Sequence, residues 1–282
     1  MSLLTPKKIL AIDLYGTLLS TSSIAPKLAS HLPDTPHRST LADTITTDWR
    51  KLQLEYTWRL NSMEKYIPFS TVTRLSLLDA LHSANVTLSP AAVEDVLAAY
   101  DQLAPFDDVA ALLDALATLA AVRKSGGGEE AVVDAVVFTN GTEAQFRAAT
   151  AAATAAASKN GEGLGGLGEL WELRCISVDS AGDGVGGGTG KCFKPHPAAY
   201  THLLRELGVP AGTGAGGASS AVLVSANPFD IVGARSVGML AVWVDREGSG
   251  WSDGLGTPSV SVRGLGEVVA WVVEQMKTQT QT

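Results

Sequence analysis

Only two cysteines occur in the 282 residues, Cys175 and Cys192, and neither stands in a CxxC or Cys/His spacing. A disulfide framework is therefore excluded, and a reducing compartment is expected. Positive charge is also scarce, with 21 basic against 29 acidic residues and a net charge of -8. No broad cationic surface can displace counterions from a nucleic acid, so no nucleic-acid partner is expected. An anionic small substrate would need a local cationic pocket. No uninterrupted apolar run approaches the roughly 20 residues of a membrane helix, and MSLLTPKK at the amino terminus has no apolar segment of signal-peptide length. A cytoplasmic protein without a membrane partner is expected. The glycine-rich stretches AGDGVGGGTG and AGTGAGGASS lack the lysine and hydroxyl pattern of a P-loop, and neither is a GxGxxG placed between strand and helix. They read as insertion loops.

What is present is an ordinary globular mixture, 45% apolar and 18% charged. Strand-like runs occur at Ile9 to Asp13, Ala131 to Thr139, Leu173 to Val178, Ala221 to Ser225 and Met239 to Val244, with Ala/Leu-rich helical patterns between them. That alternation predicts βαβ units, an α/β fold and a mostly parallel sheet. Residues 22–104 break the alternation, since they carry helical patterns and no comparable strand. They read as a helical insert after the first strand. Within it Ile45, Trp49, Leu52, Tyr56, Leu60 and Met63 recur at spacings of three and four and predict a core-facing stripe. Arg50, Leu54 and Trp58 lie on an adjacent line, where an arginine taken alone reads as a snorkelling surface residue. AATAAATAAASKNG predicts a helix with its C-cap at Asn160-Gly161.

Ligands of open parallel sheets bind beyond the carboxyl ends of strands. Four polar groups stand there: Asp13 to Thr17, Thr139-Asn140-Gly141, Lys194 in KCFKPHPAAY beyond the third strand, and Ser225 to Asp230. Taken singly, each has a structural explanation. Asp13 could cap a turn, Thr139 or Asn140 could cap the next helix, Lys194 could be solvated, and Asp230 could be a first-turn helix charge. Together, at successive strand ends, they predict one crevice.

DLYGTL at 13–18, TNG at 139–141, FKPHPAAY at 193–200 and SANPFD at 225–230 resemble the four ordered motifs of the haloacid dehalogenase superfamily. WRKLQLEYTW at 49–58 and YDQLAPFDDV at 100–109 resemble its L-2-haloacid dehalogenase members. The resemblance implies a Rossmann-like core of residues 1–21 and 105–282 and a helical cap of 22–104. It also implies no cofactor, a small anionic 2-haloacid with water as reactants, and a homodimer. Phosphatases of the superfamily resemble DxD and hold Mg²⁺, whereas here the second acid is replaced by Tyr15. A hard cation wants several oxygen ligands, so no metal is expected. A Mg²⁺-dependent phosphatase or a non-catalytic member are the alternatives.

The mechanism implied is nucleophilic displacement. Asp13, paired with Lys194, attacks C2 of an (S)-2-haloalkanoate. Arg50, Asn140 and Phe229 cradle the halide. Asn227 and Asp230 position or deprotonate the water that cleaves the aspartyl ester, giving an (R)-2-hydroxy acid. Thr17, Thr139 and Ser225 supply orienting hydroxyls, Tyr200 supports the lysine, and Tyr15, Leu54 and Phe69 wall the alkyl group. Lys51 stands where glutamine is common, which places a charge near the pocket mouth. Thr139 replaces a usual serine, and Ala226 a second one.

Overall fold

Runs such as KKILAID and AVLVS have no polar alternation, so a strand made from them needs cover on both faces. The computed structural model describes residues 7–124, 132–159, 173–182, 190–210 and 217–280, and there these runs form a six-stranded, wholly parallel sheet. Its strands are β1 (Lys7–Asp13), β2 (Val132–Thr139), β3 (Arg174–Ser177), β4 (Ala221–Ser225), β5 (Leu240–Val244) and β6 (Val260–Val262), in the order β3-β2-β1-β4-β5-β6. Leu10, Ala11 and Ile12 of β1 and Val222, Leu223 and Val224 of β4 are completely buried.

Five of these strands coincide with the predicted runs: β1 begins two residues earlier than its run, β2, β3 and β5 have ends one residue inside theirs, and β4 matches at both ends. The sixth was missed because VSV is only three residues long at a sheet edge and leaves no periodicity to read.

Between β1 and β2 the described chain carries helices and no strand of the sheet: α1 (Ala25–Ala29), α2 (Arg38–Ser62), α3 (Phe69–Ser83), α4 (Pro90–Tyr100) and α5 (Val109–Lys124). The outgoing and returning segments pair, Ser20 N donating to Ala104 O at 2.8 Å and Phe106 N to Leu18 O at 3.0 Å. Arg246 ties that junction to the sheet. Its guanidinium stacks 3.9 Å from the Phe106 ring centroid and donates to Thr17 O and to both Asp108 oxygens.

On α2, Ile45, Trp49 and Leu60 of the predicted stripe are buried, and Leu52 and Tyr56 pack against the core. Met63 is not on it. It is the C-cap residue, 54% exposed, because the helix stops one residue earlier.

After β2 come α6 (Glu143–Lys159), α7 (Pro197–Glu206), α8 (Pro228–Ser236) and α9 (Val268–Thr280). α6 opens on a capping box, Thr142 N donating to Gln145 Oε1 and Gln145 N to Thr142 Oγ1. The expected cap at Asn160-Gly161 and most of both glycine-rich stretches lie outside the described residues. No described helix is long and apolar enough to cross a membrane.

Candidate active site

The strand order changes direction at β1, whose neighbours β2 and β4 lead to opposite edges, so a crevice opens at their carboxyl ends. The register aligns Asp13 with Phe138 and Ile12 with Val224. Asp13, Thr139 and Ser225 therefore leave adjacent strands together. The turn after Asp13 uses Gly16 at φ +85, where a Cβ would meet Asn227 at 3.4 Å.

Asp13 is 5% exposed and its two oxygens are held differently. Oδ2 accepts from Thr17 Oγ1 at 2.7 Å, Asn227 Nδ2 at 2.7 Å and Ser225 Oγ at 3.3 Å. Oδ1 accepts from Lys194 Nζ at 2.7 Å. The same ammonium donates to Asp230 Oδ2 at 2.7 Å and to Phe138 O at 3.2 Å, and sits 4.7 Å from the Phe138 ring centroid. Lys194 is 1% exposed, not solvated. Burial works against its charge, but Asp13 and Asp230 outweigh that and raise its pKa above the ordinary lysine value. Burial raises the Asp230 carboxyl above its usual range, with Lys194 opposing. Tyr200 donates to Asp230 Oδ1 at 2.7 Å, so it supports the lysine through that carboxylate.

Asn140 acts on the lysine's backbone, its Oδ1 accepting from Lys194 N at 2.9 Å. Thr139 Oγ1 accepts from Gly141 N at 2.9 Å and holds the TNG turn. Ala226 N donates to Thr17 Oγ1 at 2.9 Å, which orients that hydroxyl toward Asp13.

Arg50 does not snorkel. From α2 its Nη2 reaches Tyr15 O at 3.2 Å and Asn227 Oδ1 at 3.4 Å, so the helical segment puts a cation beside the strand-end cluster. Phe69 is buried, its ring 5.5 Å from that of Tyr15. Phe229 is half-buried edge-on to Trp58 at 5.9 Å, and Leu54 is half-buried outside the packed core. Lys51 faces solvent at 72% exposure, 3.3 Å from Asp48.

Three polar residues that position this cluster escaped the sequence reading. Gln53 is fully buried; its Oε1 accepts from Arg50 Nη1 at 2.8 Å and Tyr100 OH at 3.1 Å, and its Nε2 donates to Thr73 Oγ1 at 2.8 Å. The signal available was a polar residue four beyond Trp49, inside an apolar stripe. Tyr100 was readable only as part of a motif. Asn61 pairs with the backbone of Phe193, donating to its O at 2.8 Å and accepting from its N at 2.9 Å, and so fixes the loop that presents Lys194.

A cavity of about 740 Å³ lies elsewhere, along β3 and α6, lined in part by Glu143, Arg147, Arg174, Cys175 and Glu206. Its arginines are already paired, Arg147 with Glu143 and Arg174 with Glu206, and burial pushes the Cys175 thiol up to about 12. The buried, charge-paired groups with shifted pKa values gather instead at the strand-end cluster, which is the candidate site.

Comparison with known proteins agrees with this architecture. The haloacid dehalogenase-like hydrolase family matches residues 7–238. Haloacetate dehalogenase H-2 of Moraxella sp. (strain B) is 28% identical over 262 residues, 92% of this chain and 95% of that protein. (S)-2-haloacid dehalogenase H-109 of Pseudomonas putida is 26% identical over 265 residues, 94% of this chain and 97% of that one. L-2-haloacid dehalogenase from Xanthobacter autotrophicus, solved with chloropropionic acid covalently bound, superposes with a TM-score of 0.70 at 25% identity, covering 94% of this chain and 98% of the other.

Proposed function

The chain belongs to the haloacid dehalogenase-like hydrolase family, and from that premise we propose that it hydrolyses short (S)-2-haloalkanoic acids to (R)-2-hydroxy acids through an ester on Asp13. The reading is supported by relatives named (S)-2-haloacid dehalogenase. The single observation that carries it is the meeting of Arg50, from α2, with Tyr15 and Asn227 beside the buried Asp13–Lys194 pair. An anionic substrate and an anionic leaving group both need cations here, and two cations approach from different segments. The helices of 22–104 serve as the cap over the crevice.

Oδ2 of Asp13 has three donors and Oδ1 has one, so Oδ1 is the oxygen with a lone pair left to attack. The Oδ1–C2 bond forms as the C2–halogen bond breaks, and the bonding pair leaves with the halide. Arg50, Asn140 and Phe229 receive it where charge develops. Tyr15, Leu54 and Phe69 enclose the alkyl group. Water then attacks the Asp13 acyl carbon, guided by Asn227. Its proton goes to Asp230, whose raised pKa makes it a better acceptor. The acyl C–O bond then breaks, the oxygen left on C2 takes the proton held by Asp230, the hydroxy acid departs, and Asp13 returns to its carboxylate by losing its remaining proton to water. C2 is inverted once.

A catalytic Mg²⁺ fits this donor set poorly. It demands about six oxygens in octahedral geometry, but Lys194 Nζ already lies 2.7 Å from both carboxylates. The residue where a second acid would stand, Tyr15, turns its ring toward Phe69 and Tyr100.

The test is halide release from the separate enantiomers of 2-chloropropionate, with and without chelator. Release is expected from the S enantiomer alone, insensitive to chelator, and lost by at least about three orders of magnitude in Asp13→Asn. No release from either enantiomer overturns the reading, and loss on chelation transfers it to a metal-dependent hydrolase.

A further inference from the structure

Three buried side-chain polar atoms have no hydrogen-bond partner among the described residues: the hydroxyls of Tyr15 and Thr46 and the indole N–H of Trp243. Of these residues, Tyr15 belongs to the Asp13 cluster, since its carbonyl accepts from Arg50 at 3.2 Å and Asn227 at 3.0 Å. The residue is 4% exposed and its ring is clamped by Phe69 at 5.5 Å and Tyr100 at 5.7 Å. On another side it presses on the TNG turn. A Cβ at Gly141 would lie 2.8 Å from the ring Cε2, 3.2 Å from the hydroxyl and 3.3 Å from Thr139 Oγ1. Of the nearby hydroxyls, Tyr100 donates to Gln53, and Thr139, which accepts from Gly141 N, makes no hydrogen bond with the Tyr15 hydroxyl.

A buried hydroxyl without a partner costs stability, and a phenylalanine would fill the same volume without that cost. The hydroxyl therefore needs a reason outside the resting protein. It sits between the Asn140 turn and the segment that brings in Arg50, the two sides from which the halide is received.

We propose that the Tyr15 hydroxyl is a hydrogen-bond donor to the departing halide, a third donor beside Arg50 and Asn140. This rests on the dehalogenation proposed above and changes Tyr15 from an apolar wall to a catalytic residue. As Oδ1–C2 forms and C2–halogen breaks, the bonding pair leaves with the halogen and the tyrosine keeps its proton while donating to the new anion. Burial, then Tyr100 and Asp101, push its pKa far above the ordinary tyrosine value, so it stays a donor. In a water-excluded site one such donor acts at nearly full electrostatic strength.

Tyr15→Phe keeps the ring and removes only the hydroxyl. Halide release from (S)-2-chloropropionate should fall about tenfold or more, and less from (S)-2-bromopropionate, whose leaving group needs less help. The melting temperature should be unchanged or higher. Quenching of intrinsic tryptophan fluorescence by iodide should weaken, because the anion loses a contact. Unchanged release, an equal loss for both halides, or a lower melting temperature would each overturn the proposal. An equal loss would point to the substrate carboxylate, and a lower melting temperature to a hydroxyl paired at rest. If the wild type releases no halide, the dehalogenation reading fails by itself. The iodide titration then decides, equal quenching in both proteins overturning the anion contact and weaker quenching in Tyr15→Phe supporting it.

Discussion

Replacing Lys194 with methionine removes the one cation that joins Asp13 to Asp230, and its cost can be worked out without assuming any reaction. In the wild type Nζ lies 2.7 Å from each carboxylate, with the three side chains 1%, 6% and 0% exposed. Each attraction is about 4 kcal/mol at 4 Å and an effective dielectric of 20, so two attractions disappear while the carboxylate repulsion remains. The protein can escape by protonating one carboxylate. Holding a proton at pH 7 on an aspartate that ordinarily titrates near about 3.9 costs about 4 kcal/mol. That escape route caps the loss, and it matches the roughly 3–5 kcal/mol typical of breaking a buried ion pair from one side.

The pH dependence follows from Asp230. In the variant, burial and Asp13 still raise its pKa, while the ammonium that opposed them is gone. A carboxyl raised in the folded state holds more protons folded than unfolded. Its stabilising contribution is complete below its unfolded value and is lost as pH rises through its folded value. Urea unfolding of wild type and Lys194→Met should therefore differ by about 3–5 kcal/mol at pH 7. The gap should narrow by up to about 1.4 kcal/mol per pH unit on acidification toward pH 4. A gap below about 1 kcal/mol, or one that does not change with pH, would refute this account of the buried triad.

Gln53→Leu leaves Arg50 Nη1 and the Tyr100 hydroxyl without their acceptor. It should cost about 1–3 kcal/mol in urea unfolding and lower halide release about tenfold or more. In an Arg50→Ala background the further loss of release should be small; multiplicative losses would mean that Gln53 does not act through Arg50. Gly233→Ala should destabilise by about 1–3 kcal/mol through overpacking, although alanine is favoured in open helices by about 1 kcal/mol. Its Cβ would lie 2.3 Å from the Tyr200 hydroxyl on a fully buried ring, and a variant as stable as wild type would show that Tyr200 can yield.

The α/β class and the crevice were legible because the strands are mostly apolar runs, and polar residues stand at the carboxyl ends of β1, β2 and β4, Asp13, Thr139 and Ser225. A parallel sheet gathers those ends by its topology, so position along the chain was enough to group them. Short or one-sided features carried no such signal. β6 is three residues at an edge, and Gln53 reads as a polar interruption in an apolar stripe.

Residue order alone set which side chains stand where chemistry is possible: an acid at a strand exit, a tyrosine in place of a second acid, a lysine in a later loop. Which atoms meet was settled by packing between distant segments. Lys194 lies far along the chain from Asp13, yet its ammonium bridges Asp13 and Asp230, because Asn61 holds the backbone of the preceding Phe193 and Asn140 the backbone N–H of Lys194, from two different segments. Arg50 lies on a helix whose pattern fits solvent or site equally well, and it turns inward because buried Gln53 receives one of its N–H groups. Helical spacing assigns a residue to a face, whereas the direction of a long charged side chain depends on partners brought from elsewhere in the chain.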